Sequence, residues 1–186
     1  LADANNLKDA EQYHLRFHDR KVVRAELKQK DSQTGLAVYA AKLSFLDSST
    51  RETMKIAALG TSADVRMVGS PVLALGAPYG SAGSLAYGMV TASDKKINLA
   101  DAIYSVFVTD MNVADNGSGA IFNFNGEAIG ILTQSAKSAS EDTSMTTVLG
   151  ISDIKPLIAK LSNDEARAYI GVKGMDVTEE VHQETD

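Results

Sequence analysis

Cysteine is absent from the 186 residues, which removes disulfides, thiolate chemistry and cysteine-ligated zinc together and leaves the redox compartment undecided. Histidine is nearly as scarce. His14, His18 and His182 are scattered, with no HExxH-type spacing, so neither a metal centre nor any other cofactor is expected. No Lys/Arg block or basic-aromatic stripe occurs, and the net charge is -6, which argues against a nucleic-acid partner. No apolar run reaches the roughly 18 residues of a spanning helix, and no signal-peptide pattern opens the sequence. What the chain does have is a 44% hydrophobic content, enough to bury a core as one domain or two small ones.

That hydrophobic content is arranged mostly with a period of two. Tyr13, Leu15 and Phe17 alternate with His14, Arg16 and His18, and Val23, Ala25 and Leu27 resume the pattern after a polar break. This predicts a β-hairpin. "TGLAVYAAKL" (34–43) reads as a more continuously apolar strand, 47–54 as a polar loop, and 70–93 as two strands around a Gly/Ser/Pro-rich turn. A strand is expected over 102–110, then a hairpin whose Asn125-Gly126 pair predicts a type I′ turn. A polar loop over 134–145 and a short strand "TTVLGI" follow. Only one helix is expected. Ile154, Leu157, Ile158 and Leu161 fall on one face, with Asp153 as N-cap and Pro156 in the first turn. Beyond it "AYIGVKGMDV" is strand-like and the tail is acidic. Many short strands with one late helix imply an all-β sandwich or barrel.

"ADNGSGAIFNFNGEAIGIL" (114–132) places Ser118 between glycines, just ahead of an alternating apolar run. A chain presents a nucleophile at a barrel mouth this way, and β-proteins also turn corners this way. The surrounding order of segments resembles the trypsin-like protease domain of the HtrA/DegP family. "LRFHDRKVVRAELKQKDSQTGLAVYAAKL" is similar to that family's strand–turn–strand followed by D-x-x-T-D-L-A-V. "MVGSPVLALGAPYGSAGSLAYGMVTAS" resembles its V-G-x-x-V-x-A-I-G-N-P-F-G and the later G-I-V-S-A. "FVTDMNVADNGSGAIFNFNGEAIGIL" resembles its serine segment, and "AYIGVKGMDVTEE" its junction with a PDZ domain.

The resemblance implies a chymotrypsin-like double β-barrel with an incomplete N-terminal barrel and one C-terminal helix. The implied division is 1–62 for the remainder of the first barrel, 63–152 for the second, and 153–186 for the helix and linker. Such a protease needs a serine, a histidine to take its proton, an aspartate to orient that histidine, and backbone N–H groups for the oxyanion. The implied histidine falls upstream of Leu1. His14 reads as a strand side chain and His18 as a hairpin residue. The family's aspartate coincides with Gly35, and Asp31 reads as a turn residue. Counting forward from Thr109-Asp110 puts Ser118 on the nucleophile, with Asn116 and Ser118 supplying the oxyanion N–H groups. Counting back from "AIFNFNG" puts Gly117 there and leaves no nucleophile; this count is slightly favoured, because a loop loses a residue more easily than the rigid turn after it. A Ser118–Lys137 dyad is the remaining enzymatic alternative, set against a solvated loop lysine.

The resemblance further implies substrate docking as an added β-strand on 130–133, that is on Gly130, Ile131, Leu132 and Thr133. Asn112 (Met111 on the second count) would shape a first specificity pocket for small or apolar side chains. The expected function is a protein-quality-control protease domain that has lost its triad, a pseudoprotease or peptide-binding module. The alternatives are a fragment of an active endopeptidase and a purely structural subunit. Expected partners are peptide or unfolded polypeptide and, since family members trimerise, further copies of the chain. The expected location is extracytoplasmic: periplasmic, secreted or membrane-anchored.

Overall fold

The computed structural model describes residues 1–7, 10–99, 102–140 and 145–165. Its first sheet has four strands in the order β1-β4-β3-β2: β1 (Ala2–Asp3), β2 (Tyr13–Arg16), β3 (Val22–Lys30) and β4 (Leu36–Ala40). The expected hairpin is β2–β3, in register from Tyr13↔Ala25 to Arg16↔Val22. Its turn holds Arg20 at φ +68°, a left-handed conformation that costs a side chain about 1 kcal/mol and glycine almost nothing. Arg20→Gly is therefore expected to raise stability by about 0.5–1 kcal/mol, read as a higher urea midpoint at unchanged slope. Tyr13 and Tyr39 meet across β3, ring centroids 4.7 Å apart. Burial, with Tyr13 beside it, pushes the Tyr39 hydroxyl up to about 12.

A short helix α1 (Ser48–Thr53) follows, where the sequence pattern suggested only a polar loop. It exists because Asp47 caps it, its Oδ1 accepting from the Thr50 N–H at 2.9 Å and from the Ser49 hydroxyl at the same distance. Those bonds, the Thr50 backbone N–H first, hold the Asp47 carboxyl well below the usual carboxylate range.

The second sheet closes on itself. Its strands are β5 (Ala58–Leu59), β6 (Pro71–Ala77), β7 (Ser84–Leu99), β8 (Ala102–Thr109), β9 (Ser118–Asn123), β10 (Glu127–Leu132) and β11 (Thr146–Gly150). The order is β11-β8-β7-β6-β9-β10-β5, and the additional pairing of β11 with β10 turns β6–β11 into a six-stranded barrel. Ala58 and Leu59, inside the segment expected to belong to the first barrel, pair with Glu127 and Ala128 instead. The β7 strand also runs six residues beyond the expected end at Ser93, to Leu99, bending at Asp94 (φ +60°) where its register with β8 shifts.

The β9–β10 turn differs from the type I′ expectation. That type needs positive φ at both central residues, and of Phe124, Asn125 and Gly126 only Gly126 has it, at +79°. The loop closes through Gly126 N–H to Asn123 O, and Asn123 Oδ1 accepts from the N–H groups of Asn125 and Glu127. A three-residue loop with one left-handed glycine results.

Alternation sorts the side chains into two cores. Val72, Ala74, Val90, Phe107, Ile121 and Val148 fill the barrel. Their neighbours along the strands, among them Tyr104, Val106 and Leu149, face outward onto α3 (Ile151–Ser162) and meet Leu36 of the first sheet. The α3 helix thus seals both lobes. Ile151, Ile154, Leu157 and Leu161 form its buried face. Asp153 does not cap it. Gly150 does, so the helix starts earlier and Pro156 lies inside it rather than in its first turn. Asp153 Oδ2 instead accepts from Ser105 N–H at 2.7 Å, tying the helix to β8. The helix count exceeds the single one expected, because Thr133 caps a further short helix, α2 (Gln134–Ser138), within the expected polar loop. The strand-like 168–177 segment and His182 lie outside the described residues.

Candidate active site

Ser118 opens β9 opposite Ala77 and is half-buried. Its hydroxyl has no hydrogen bond to any described residue. The loop ahead of it is pinned by Ala114 N–H to Pro78 O and by Gly117 N–H to Ala114 O, both 2.9 Å. A Cβ on Gly117 would stand 2.5 Å from Pro78 O and 2.8 Å from Ala114 O. No side chain fits there, so of the two positions only 118 can present a hydroxyl. The Asn116 side chain lies against Gly80, while its N–H has no acceptor among the described residues.

The loop is clamped from two sides. Asn6 Nδ2 donates to Asn116 O at 3.1 Å. From α2, Lys137 Nζ reaches Ala114 O at 3.3 Å and Asp115 Oδ1 at 2.9 Å. That lysine bond holds the Asp115 carboxyl below its ordinary range. An ammonium engaged by a carboxylate and a carbonyl is neither a solvated charge nor a base poised on Ser118.

Gly35 follows a turn built by Asp31, whose Oδ2 accepts from Thr34 N–H and Thr34 Oγ1 at 2.9 and 2.7 Å. Asp31 is a buried turn residue. Gly35 itself has φ +75°, and a Cβ there would meet Asn5 Nδ2 at 2.8 Å, Ser135 Oγ at 3.0 Å and Asp3 Oδ1 at 3.1 Å. These atoms form a network. Asp3, 3% exposed, accepts from Asn5 N–H at 2.9 Å and from Gln134 N–H at 2.7 Å. Asn5 Nδ2 donates to Ser135 Oγ at 3.2 Å, and Gln134 Nε2 to Asn6 Oδ1. Sequence reasoning missed this cluster. The polar run "ADANN" was its only trace, and its partners sit about 130 positions away.

The remaining candidates scatter. His14 is exposed on β2 and His18 is exposed in the hairpin turn. Asn112 is exposed, whereas Met111 is buried in the barrel, its carbonyl accepting from Thr146 Oγ1 at 2.6 Å. Gly130 and Ile131 are flanked on both sides, by Ile121 and Ala120 of β9 and by Gly150 and Leu149 of β11. No strand can add at those two residues. Among the described residues Leu132 pairs only with Gly119, yet it is buried in the barrel core, and Thr133 turns away to cap α2 with its hydroxyl.

A closed β-barrel beside a half-open one, with a glycine-flanked serine at the junction, is the frame on which the sequence comparisons bear. The model of the trypsin-like peptidase domain family matches residues 1–131. The chain belongs to this family. Two named relatives are both "Probable periplasmic serine endoprotease DegP-like": one from Halomonas elongata, 27% identical over 185 residues (97% of this chain, 37% of the relative), and one from Pseudomonas putida strain W619, 32% identical over 136 residues (72% and 26%). The fold matches the solved HtrA-type protease AlgW with decapeptide at a TM-score of 0.72 and 21% identity, covering 98% of this chain and 55% of that one. This is an HtrA/DegP-type trypsin-like protease domain, and it spans little more than a third of its curated relatives at most.

Proposed function

We propose that this HtrA-type domain is catalytically silent and acts by binding polypeptide outside the cytoplasm rather than by cutting it. The observation that carries the reading is the filled space at Gly35. Where the family places the aspartate that orients histidine, this chain has a left-handed glycine against Asn5, Ser135 and Asp3. Without an oriented imidazole, a serine protease retains only roughly 10³–10⁴-fold catalysis over water. The Ser118 hydroxyl, without a hydrogen bond among the described residues, and the engaged Lys137 are consistent with that. The extracytoplasmic setting follows the naming of the relatives as periplasmic. Polypeptide binding would use the Asn116 N–H and the exposed Asn112, whose uncharged amide fits a small or apolar side chain.

One observation favours a second reading, an active endopeptidase completed by a histidine on a preceding segment. Asp3 sets a buried carboxylate beside the vacated locus, where an imidazole could find an acceptor. Reaction with a fluorescent fluorophosphonate tests the silent reading. The purified chain is expected to label no more than a Ser118→Ala control. Labelling that disappears in the control would reveal an activated nucleophile and overturn the silent reading.

A further inference from the structure

Positive charge is unevenly placed in this chain. From the start of β2 to the end of β3, residues 13–30 hold six of its 18 Lys/Arg and two of its 24 Asp/Glu, so the hairpin is +4 on a molecule of net charge -6. The cations are spaced apart in sequence, and strand pairing gathers them. His14 lies opposite Arg24 and Arg16 opposite Val22, while Val23 and Ala25 turn to the buried side. The outer face of the hairpin is therefore a grid of four exposed residues with arginines at opposite corners. Diagonal neighbours of this kind sit about 7–8 Å apart. Neither Arg16 nor Arg24 has an ion pair among the described residues. Like charges gathered on one face cost the fold stability and return nothing until an anion arrives.

We propose that this face docks an acidic stretch of extended polypeptide. Three observations select that partner. Alternate side chains of an extended chain repeat about every 6.6 Å, close to the diagonal of the grid. Carboxylates two residues apart can thus meet both guanidiniums, whose planar forks suit them. The same strand already holds a carboxylate: Lys28 Nζ stands 3.4 Å from Asp164 Oδ2, just past α3. The face is also interrupted, by Glu26 two positions beyond Arg24 and by Asp19 in the hairpin turn. A nucleic-acid backbone or an anionic bilayer presents continuous charge and would meet both carboxylates, whereas a peptide carries its acids at separate positions. Val22, 53% exposed, adds an apolar contact beside the arginines. This inference rests on the reading that the chain binds polypeptide, and it adds a contact made by residues outside the serine loop.

Fluorescence anisotropy of the chain with two labelled peptides tests it, one a Glu-Thr repeat and the other its Gln-Thr counterpart. The Glu-Thr peptide is expected to bind about tenfold more tightly at low salt, a preference that should vanish in roughly 0.5 M salt. Arg16→Glu and Arg24→Glu, both at exposed positions, should each weaken its binding about tenfold while leaving the far-UV circular dichroism spectrum unchanged. Glu-Thr binding that survives both substitutions overturns the inference. Equal binding of the two peptides also overturns it, and leaves the polypeptide-binding reading standing. Binding of neither peptide removes both.

Discussion

Replacing Gly35 with aspartate, the residue that the family resemblance implies there, is expected to destabilise the domain by about 2–4 kcal/mol and to confer no peptide hydrolysis. Two costs add. The backbone at Gly35 sits at φ +75°, where a side chain pays on the order of 1 kcal/mol. The new Cβ would also stand 2.8–3.1 Å from Asn5 Nδ2, Ser135 Oγ and Asp3 Oδ1, so the network must open, and a second carboxylate arrives beside a buried one. Gly35→Ala carries the backbone and contact costs without the charge and should lose about half as much. Urea unfolding monitored by circular dichroism measures both, as a fall in midpoint at constant slope. A Gly35→Asp protein as stable as the parent, or one that begins to cleave peptide, would show that the locus is merely empty rather than rebuilt.

That locus marks the boundary of what the sequence carries. Alternation exposed the β2–β3 and β9–β10 hairpins because each lies within a short window and its period is its own evidence. The buried face of α3 was legible for the same reason. Its start was misread because Asp153 looked like a cap, while a plain glycine at 150 holds that place and the aspartate serves Ser105 on β8. Helices α1 and α2 are too short to show a period. Each rests on a single capping side chain, Asp47 or Thr133, and hydrophobic patterning is blind to that. Barrel closure between Gly130 and Gly150 is likewise invisible, and with it the loss of a free edge at Gly130 and Ile131. Gly35 and Ser118 could be singled out from motifs alone. What surrounds Gly35 could not, because Asp3, Asn5 and Ser135 converge only after both lobes have docked.

Asp3→Ala is expected to cost about 2–4 kcal/mol, a large effect for removing one side chain from the edge of a sheet. The carboxylate is 3% exposed and accepts two backbone N–H groups, those of Asn5 and Gln134. Alanine leaves both half-buried donors without their acceptor, at up to about 1–3 kcal/mol each before relaxation. Asp3→Asn keeps one acceptor oxygen and turns an amide toward the second donor, so it should fall between alanine and the parent. Gln134 is the first residue of α2, and α2 carries Lys137, which holds Ala114 and Asp115, while Asn6 holds Asn116. Asp3 therefore stands at the head of two clamps on the Ser118 loop. Its loss should speed amide exchange in α2 and at 114–117 ahead of the rest of the barrel. Combined with Gly35→Ala, Asp3→Ala removes one of the three atoms that the new methyl meets, so the double variant should lose about 0.5–1 kcal/mol less than the sum of the singles. Strict additivity, with uniform exchange across the barrel, would mean that Asp3 is only a buried strand residue and that the rebuilt locus does not control the serine loop.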